Sequence, residues 1–257
     1  MSAIELRGVS HVFESRKNRL HALAGIDLEI QDNEFVTLVG RSGCGKSTLL
    51  RIIAGLLKPS AGEVRVAGTP VRGARRDLSF MFQRSALLPW RTVIENVMLP
   101  VDILRLDRRK HRARAEELLA LTGLEGFEGR RPDELSGGMQ QRVSLCRALV
   151  HDPSVLLMDE PFAALDALTR EELSLELQRI WTEDRKTIVF VTHSIQEATL
   201  LADRIVVMSP RPGRIARTLE VRAPRPRSLG LTAHSEELDH ISAELHELLF
   251  ARELLSR

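Results

Sequence analysis

The chain has 257 residues, 43% hydrophobic and 28% charged, with a formal net charge of +2 at pH 7. It is long enough for one large domain or a domain with an added piece, its composition is neither disordered nor fibrous, and its charge is too small to argue for nucleic acid. Cys44 and Cys146 form no disulfide framework and fit a reducing cytosol, and without a bilayer-length apolar run or a signal-peptide core the expectation is a chain neither exported nor inserted.

The N-terminal third holds short alternating pieces, "IELRGVS", "GIDLEI" and "GEVRVAG", which predict antiparallel strands with turns. Three other runs are apolar throughout: "FVTLVG" (Phe35 to Gly40), "VLLMDE" (Val155 to Glu160) and "TIVFVTH" (Thr187 to His193). Such runs predict parallel strands buried on both faces. Each ends in glycine or polar residues, at the carboxyl edge where ligands collect in an open α/β sheet.

The first run leads into "GRSGCGKST", followed by the helical "TLLRIIAGLL", and this satisfies the phosphate-loop pattern G-x-x-x-x-G-K-S/T in its proper context. Glycines in such a loop let successive backbone N–H groups converge on phosphates. The predicted nucleotide cradle is therefore Gly40, Arg41, Ser42, Gly43, Cys44, Gly45, Lys46, Ser47 and Thr48. Lys46 is placed to reach the β- and γ-phosphates, and Ser47 to set its hydroxyl on Mg²⁺.

Gln83, in "LSFMFQRSALLPW", stands at a strand end from which its amide can reach metal or water. From about Ala86 to Glu134 the pattern turns helical. In "RARAEELLALTGL" the leucines from Leu118 to Leu124 sit at helical spacing and Gly123 predicts a stop. A helical insertion thus splits the α/β core. Basic residues cluster from Arg105 to Glu117 and from Arg211 to Arg227; solvated faces are the expected reading, with polyphosphate, anionic lipid or a partner as alternatives.

"LSGGMQQRV" (Leu135 to Val143) sets a hydroxyl and two glycines at a helix start, an arrangement that suits a bound phosphate. Asp159 ends the second apolar run, where the magnesium-orienting carboxylate of phosphate-loop enzymes belongs. Neighbours at a strand end point apart, so Asp159 can serve the metal while Glu160 faces an attacking water, as acceptor or orienter of its proton. His193 ends the third run and emerges at the same edge, where imidazole can hydrogen-bond a γ-phosphate oxygen. After about Leu219, "RAPRPRS" reads as a linker. Beyond it Ser235 is placed to cap a helix whose Leu238, Ile241, Leu245 and Leu248 form one apolar stripe.

The ordered set of phosphate loop, Gln83, "LSGGMQQR", "VLLMDE", "AALD" (Ala163 to Asp166) and His193 resembles the ATP-binding cassette family, over nearly the whole chain up to about residue 220. The resemblance implies an α/β fold: a phosphate-loop NTPase core of mostly parallel sheet, an N-terminal antiparallel β subdomain and an inserted helical subdomain. The nucleotide-binding domain is then residues 1–220, with the helical insertion at about 86–150, and residues 221–257 are a linker and helical appendage.

The resemblance further implies ATP and Mg²⁺ held between two cassettes, so the expected partner is a second copy of the chain. Ser136, Gly137 and Gly138 would contact the γ-phosphate across the dimer, and Asp166, in the D-loop, counts among the nucleotide-binding residues. Gln83 is the Q-loop residue, and the catalytic set is Glu160, His193, Lys46 and Gln83. Phe13, in "SHVFES", would stack on adenine, with core packing as the alternative. Met139 stands where the family pattern usually has glutamine, and Phe13 where many cassettes carry tyrosine, a residue this chain lacks.

"QRSALLPWRTVIENV", the "MSPRPGRI" segment at Met208 to Ile215 and the short helical tail resemble, more narrowly, the ATPase subunits of nitrate, sulfonate and taurine importers. The implied role is the motor of a small-anion importer at the cytoplasmic face of the inner membrane. Its partners would be two integral membrane permease subunits and, through them, an extracytoplasmic substrate-binding protein, with no nucleic acid. Trp90 is then either an exposed anchor for a permease helix or a buried part of the helical subdomain. Other readings are a cassette driving a different importer, an exporter or lipoprotein release, a non-transport ATPase, and a plain phosphate-loop kinase. The last gives Ser136 to Gly138 no task.

Overall fold

Every side chain of β3 (Phe35–Val39) is buried in the computed structural model, as is every side chain of β8 (Thr187–Thr192). A continuous apolar strand is stable only with cover on both faces. β3 accordingly lies between two parallel neighbours, β8 and β9 (Arg204–Met208), with Val39 opposite Thr192 on one side and Val207 on the other. β10 (Ile215–Glu220) lines the far edge of β9, antiparallel to it. The structure describes residues 2–14, 18–228 and 235–250.

These strands belong to the first of two units, Met1–Arg75 with Gln178–Arg257; the second is Arg76–Leu177. The first unit also carries an antiparallel sheet in the order β2-β1-β4-β5, from β1 (Ser2–Glu14), β2 (Arg19–Gln31), β4 (Ala61–Val66) and β5 (Thr69–Pro70). The alternating pieces form it, with Leu6 opposite Leu28 and Ile4 opposite Val66, and with Ile4, Leu6, Ile26, Leu28 and Ile30 all buried. The fold is α/β with a mixed sheet and an antiparallel β subdomain, as the sequence implies.

In the second unit β6 (Leu78–Met81) pairs in parallel with β7 (Val155–Asp159). Between them run α2 (Val93–Val97), α3 (Leu99–Leu104), α4 (Arg108–Leu121) and α5 (Gly137–Leu149). On α4 the basic cluster is a solvated face: Arg112 pairs with Glu116 at 2.9 Å and Arg114 with Glu117 at 2.8 Å, both exposed. Such pairs contribute well under about 1 kcal/mol each.

The second basic cluster is solvated at Arg211, Arg214, Arg217 and Arg222 and departs from expectation at its end, Arg225 and Arg227. Arg227 is only 4% exposed, and its guanidinium donates to the carbonyls of Ala202 (2.6 Å), Thr199 (3.0 Å), Ala223 (2.9 Å) and Val221 (3.1 Å). Thr199 and Ala202 lie in and at the end of α7 (Ile195–Leu201), where carbonyls lack intrahelical donors. Burial and the neighbouring Arg225 charge pull the Arg227 pKa down to about 10, which still leaves it ionised at neutral pH. Arg225 in turn lies 4.2 Å over the Trp181 ring and pairs with Asp203. "RAPRPRS" is therefore not a solvated linker but a strap fastened to α7.

Beyond the strap, α8 (Ser235–Phe250) buries Ile241, Leu245 and Leu249 against Ala198, Ala202, Ile205, Val207 and Leu219. Leu248 is 44% exposed, so the stripe ends on Leu249 instead. Over four turns the 3.6-residue period carries the apolar face one position past the simple three-four spacing. The cap expected at Ser235 rests on a side chain outside the described residues. Among the described residues no helix is long and apolar enough to cross a membrane. Leu245→Ala is expected to destabilise the fold by about 3 kcal/mol and Leu248→Ala by less than about 0.5 kcal/mol in urea unfolding, because only the former opens a cavity.

Candidate functional site

In the first unit, α1 (Lys46–Ile53) opens directly from the predicted phosphate loop. Its cap residue, Gly45, has φ 107°, and a β-carbon there would stand 2.7 Å from Leu23 Cδ2 and 3.0 Å from the Ala22 carbonyl. Conformation and space both require glycine. Lys46 is 4% exposed, and its Nζ donates to the carbonyls of Gly40 (2.6 Å) and Arg41 (3.4 Å). The loop is thus closed around its own cation, with the start of α1 behind it, a combination that favours anions.

Because Val39 lies opposite Thr192, Gly40 and His193 leave the sheet at the same edge. His193 is exposed, and both of its neighbours are tied down. Thr192 Oγ1 accepts from the Ser194 amide at 2.9 Å and donates to the Glu197 carboxylate, while Ser194 Oγ accepts from the Glu197 amide at 3.3 Å. Phe13 is 42% exposed, with its ring centroid 4.5 Å from that of His11 in an edge-on arrangement, so it is not a core residue.

In the second unit β7 delivers Asp159, which is 6% exposed. Glu160 then leaves strand geometry with φ 47°, a left-handed conformation that non-glycine residues adopt at a cost of about 1 kcal/mol or more. Gln83 is exposed, just past the end of β6. Ser136 caps α5, its hydroxyl accepting from the Met139 amide at 3.3 Å, and Gly137 and Gly138 begin the helix. Asp166 accepts from the Thr169 amide at 3.0 Å and from its hydroxyl at 2.7 Å, contacts that hold its carboxyl below the usual range.

Ser136, Gly137, Gly138 and Asp166 share one cleft of about 500 Å³, walled also by Met139, Arg142 and Thr169. Gln83, Asp159 and Glu160 are not among its walls. Burial pushes the Cys146 thiol up to about 12, so it is no nucleophile at neutral pH.

Residues that the sequence did not single out organise this unit. Arg147 on α5 donates to the carbonyls of Ser85 (2.5 Å) and Ala86 (2.9 Å), and Ser85 Oγ donates to Gln140 Oε1 at 3.3 Å. Gln141, buried on the same helix, donates to the carbonyl of Pro161. One helix therefore holds the stretch after Gln83 and the stretch after Glu160. The one available signal was the run of polar residues on an otherwise apolar helix. Asn96 is fully buried and exchanges hydrogen bonds with Leu88, accepting at 2.7 Å and donating at 3.1 Å, which fixes the Leu88-Pro89-Trp90 turn. Trp90 itself is 69% exposed, which excludes its buried reading.

The family model for ABC transporters matches residues 23–163. The chain is 47% identical over 224 residues (87% of this chain, 84% of the relative) to an uncharacterized ABC transporter ATP-binding protein of Methanocaldococcus jannaschii. It is 45% identical over 238 residues (93% and 92%) to the taurine import ATP-binding protein TauB of Burkholderia thailandensis. Among solved structures, the dimeric post-hydrolysis state of an ATP-binding cassette bound to ADP and Pi is similar with a TM-score of 0.76 and 36% identity, covering 86% of this chain and 100% of that one.

Arg147→Met should lower stability by about 2 kcal/mol, because the Ser85 and Ala86 carbonyls lose a charged donor. Limited proteolysis is expected to cut faster near residues 84–90 in that variant than in the wild type.

Proposed function

The chain belongs to the ABC transporter family, and from that premise we propose that it is the motor subunit of an importer for a small anion such as taurine, another sulfonate or nitrate. It binds ATP and couples ATP hydrolysis to transport. The observation that carries the fuller reading is a second anion-friendly helix start, the Ser136–Gly138 cleft, in a chain that already owns a complete phosphate loop. One chain has no use for both on one nucleotide. Two chains facing each other do, and the related cassette dimer with ADP and Pi supports that arrangement.

In this reading the 40–48 loop binds the phosphates of one ATP, Lys46 moves from its own loop carbonyls to the β- and γ-phosphates, and Phe13 offers its exposed ring to adenine. Ser136, Gly137 and Gly138 of the other copy meet the γ-phosphate with a helix start, and Asp166 holds that cleft's wall by capping α6 (Ala167–Glu183). Glu160 accepts a proton from the attacking water, Gln83 orients that water, and His193 hydrogen-bonds the γ-phosphate.

No cluster of three or more His, Cys, Asp or Glu arranged for a metal occurs among the described residues. One hydroxyl (Ser47), one carboxylate (Asp159) and one amide (Gln83) suit a Mg²⁺ that takes its other oxygens from phosphates and water. When bound, the ion would neutralise charge on the phosphates.

The taurine import relatives, aligned over nearly their full length, support the importer. The protruding Trp90 supports docking to permease subunits at the inner membrane's cytoplasmic face, since a large exposed aromatic on a fixed turn makes an interface anchor. An extracytoplasmic binding protein would then choose the substrate. The second reading is a cassette of another ABC system, which the same dimer and the same chemistry would serve.

Glu160→Gln is expected to keep ATP affinity while turnover falls by about 100-fold or more; turnover near the wild-type rate would remove Glu160 from this role. A Ser136→Arg chain mixed with a Lys46→Ala chain should regain one working site per mixed dimer, measured as ATPase activity above either variant alone. A verified but inactive mixed dimer would exclude the shared-site arrangement. For the substrate, a binding protein that copurifies with the complex should be thermally stabilised by taurine, an alkanesulfonate or nitrate, and stabilisation only by a neutral or cationic solute would overturn the anion assignment.

A further inference from the structure

Between β9 and β10 the chain turns through Ser209–Arg214, part of the "MSPRPGRI" segment. The Ser209 amide donates to the Arg214 carbonyl at 2.9 Å, and Ser209 Oγ accepts from the Arg214 amide at 3.1 Å, closing the turn. Its Gly213 is stitched to β2: the amide donates to the Ala22 carbonyl at 2.9 Å and the carbonyl accepts from Ala24 at 3.0 Å. The same glycine presses on the phosphate loop, since a β-carbon there would stand 2.1 Å from the Cys44 carbonyl oxygen. Both fastenings lie within the first unit, so the turn and the loop have one fixed relation.

Arg211 is thereby held over the loop. A β-carbon on Gly43 would lie 3.0 Å from Arg211 Nη2 and 3.6 Å from its Cζ, so the guanidinium covers the open face of that glycine. The side chain is exposed, and among the described residues it has no hydrogen bond or ion pair. Arg41 and Lys46 belong to the same loop. Crowding like charges is unfavourable until an anion sits among them. An unpaired guanidinium on a phosphate loop is also a ready donor for charge-assisted hydrogen bonds to phosphate oxygens.

We propose that Arg211 is a further phosphate-binding residue of the nucleotide site, meeting the phosphate chain of the bound nucleotide from the Gly43 side of the loop. The proposal rests on the reading of residues 40–48 as the ATP cradle. Its partner is the polyphosphate of the nucleotide on its own chain, not the base and not the second copy of the protein.

The test is equilibrium titration of the full chain with MgADP, which occupies the loop without hydrolysis, at about 50 mM and about 500 mM salt. Arg211→Ala and Arg211→Gln are expected to bind about tenfold more weakly at low salt, with the gap closing at high salt, while Arg211→Lys stays within about threefold of wild type. Unfolding midpoints of the ligand-free variants should match wild type, since the side chain anchors nothing. Three results would overturn the proposal: unchanged MgADP affinity in Arg211→Ala; a loss equal in Arg211→Lys and unaffected by salt, which marks a shape role; or unchanged affinity with fewer ATP-driven dimers on a Glu160→Gln background, which marks a partner-facing residue. Wild type that is folded yet binds no nucleotide would sink the cradle reading and this proposal together, an outcome distinct from the other three.

Discussion

The parallel pairing of β3 with β8 and β9 is the constraint from which the first unit's chemistry follows. With Val39 level with both Thr192 and Val207, three connections leave the sheet at one edge: the phosphate loop after Val39, His193 after Thr192, and the Ser209–Arg214 turn after Met208. None of the three needs to be long to meet the others. Burial of all of β3 and β8 makes a register slip expensive, because a shift by one residue would carry each packed side chain to the opposite covered face, where it no longer fits its neighbours.

The second unit solves a different problem, holding several irregular segments with one regular element. α5 begins at the Ser136 cap and then spends polar side chains on loops, Gln140 and Arg147 on the stretch after Gln83 and Gln141 on the Pro161 carbonyl, while Arg142 reaches Glu172 of the helix α6 at 3.0 Å. A helix is stiff along its axis, so groups bonded to its side move as a set. Loops that carry reactive side chains gain definition this way without becoming strands or helices themselves.

Much of this was legible in the sequence because it depends on local pattern. Apolar runs gave β3, β7 and β8; glycine spacing gave the loop that opens α1; and a serine before two glycines gave the α5 cap, each a short-range rule with a single physical cause. The exposures of Phe13 and Trp90 excluded the buried alternative that the sequence had left open for each. What could not be read was the work of long side chains. Arg147, Arg211 and Arg227 reach carbonyls or glycines distant in sequence, and a basic residue bonded to backbone leaves the same trace as one facing water. The "RAPRPRS" strap shows the failure most plainly, since composition said linker while the guanidinium of Arg227 sits among five carbonyls. Leu248 and Leu249 exchanged roles for a smaller reason, the drift of a helical face over several turns.

The fastening of α7 also bears on how freely chains of this kind can exchange parts. α7 has seven residues, too few to hold its own shape, and it starts two residues after His193. Thr192, Ser194 and Glu197 fix one end, and Arg227 with α8 fixes the other. The histidine's setting is thus underwritten in part by residues far downstream, in the stretch that looks most dispensable. A chimera that borrowed its tail from a relative would import part of what fixes the His193 edge along with it, so grafting boundaries for such chains belong after α8 or before β8, and not at the proline-rich stretch that resembles a seam.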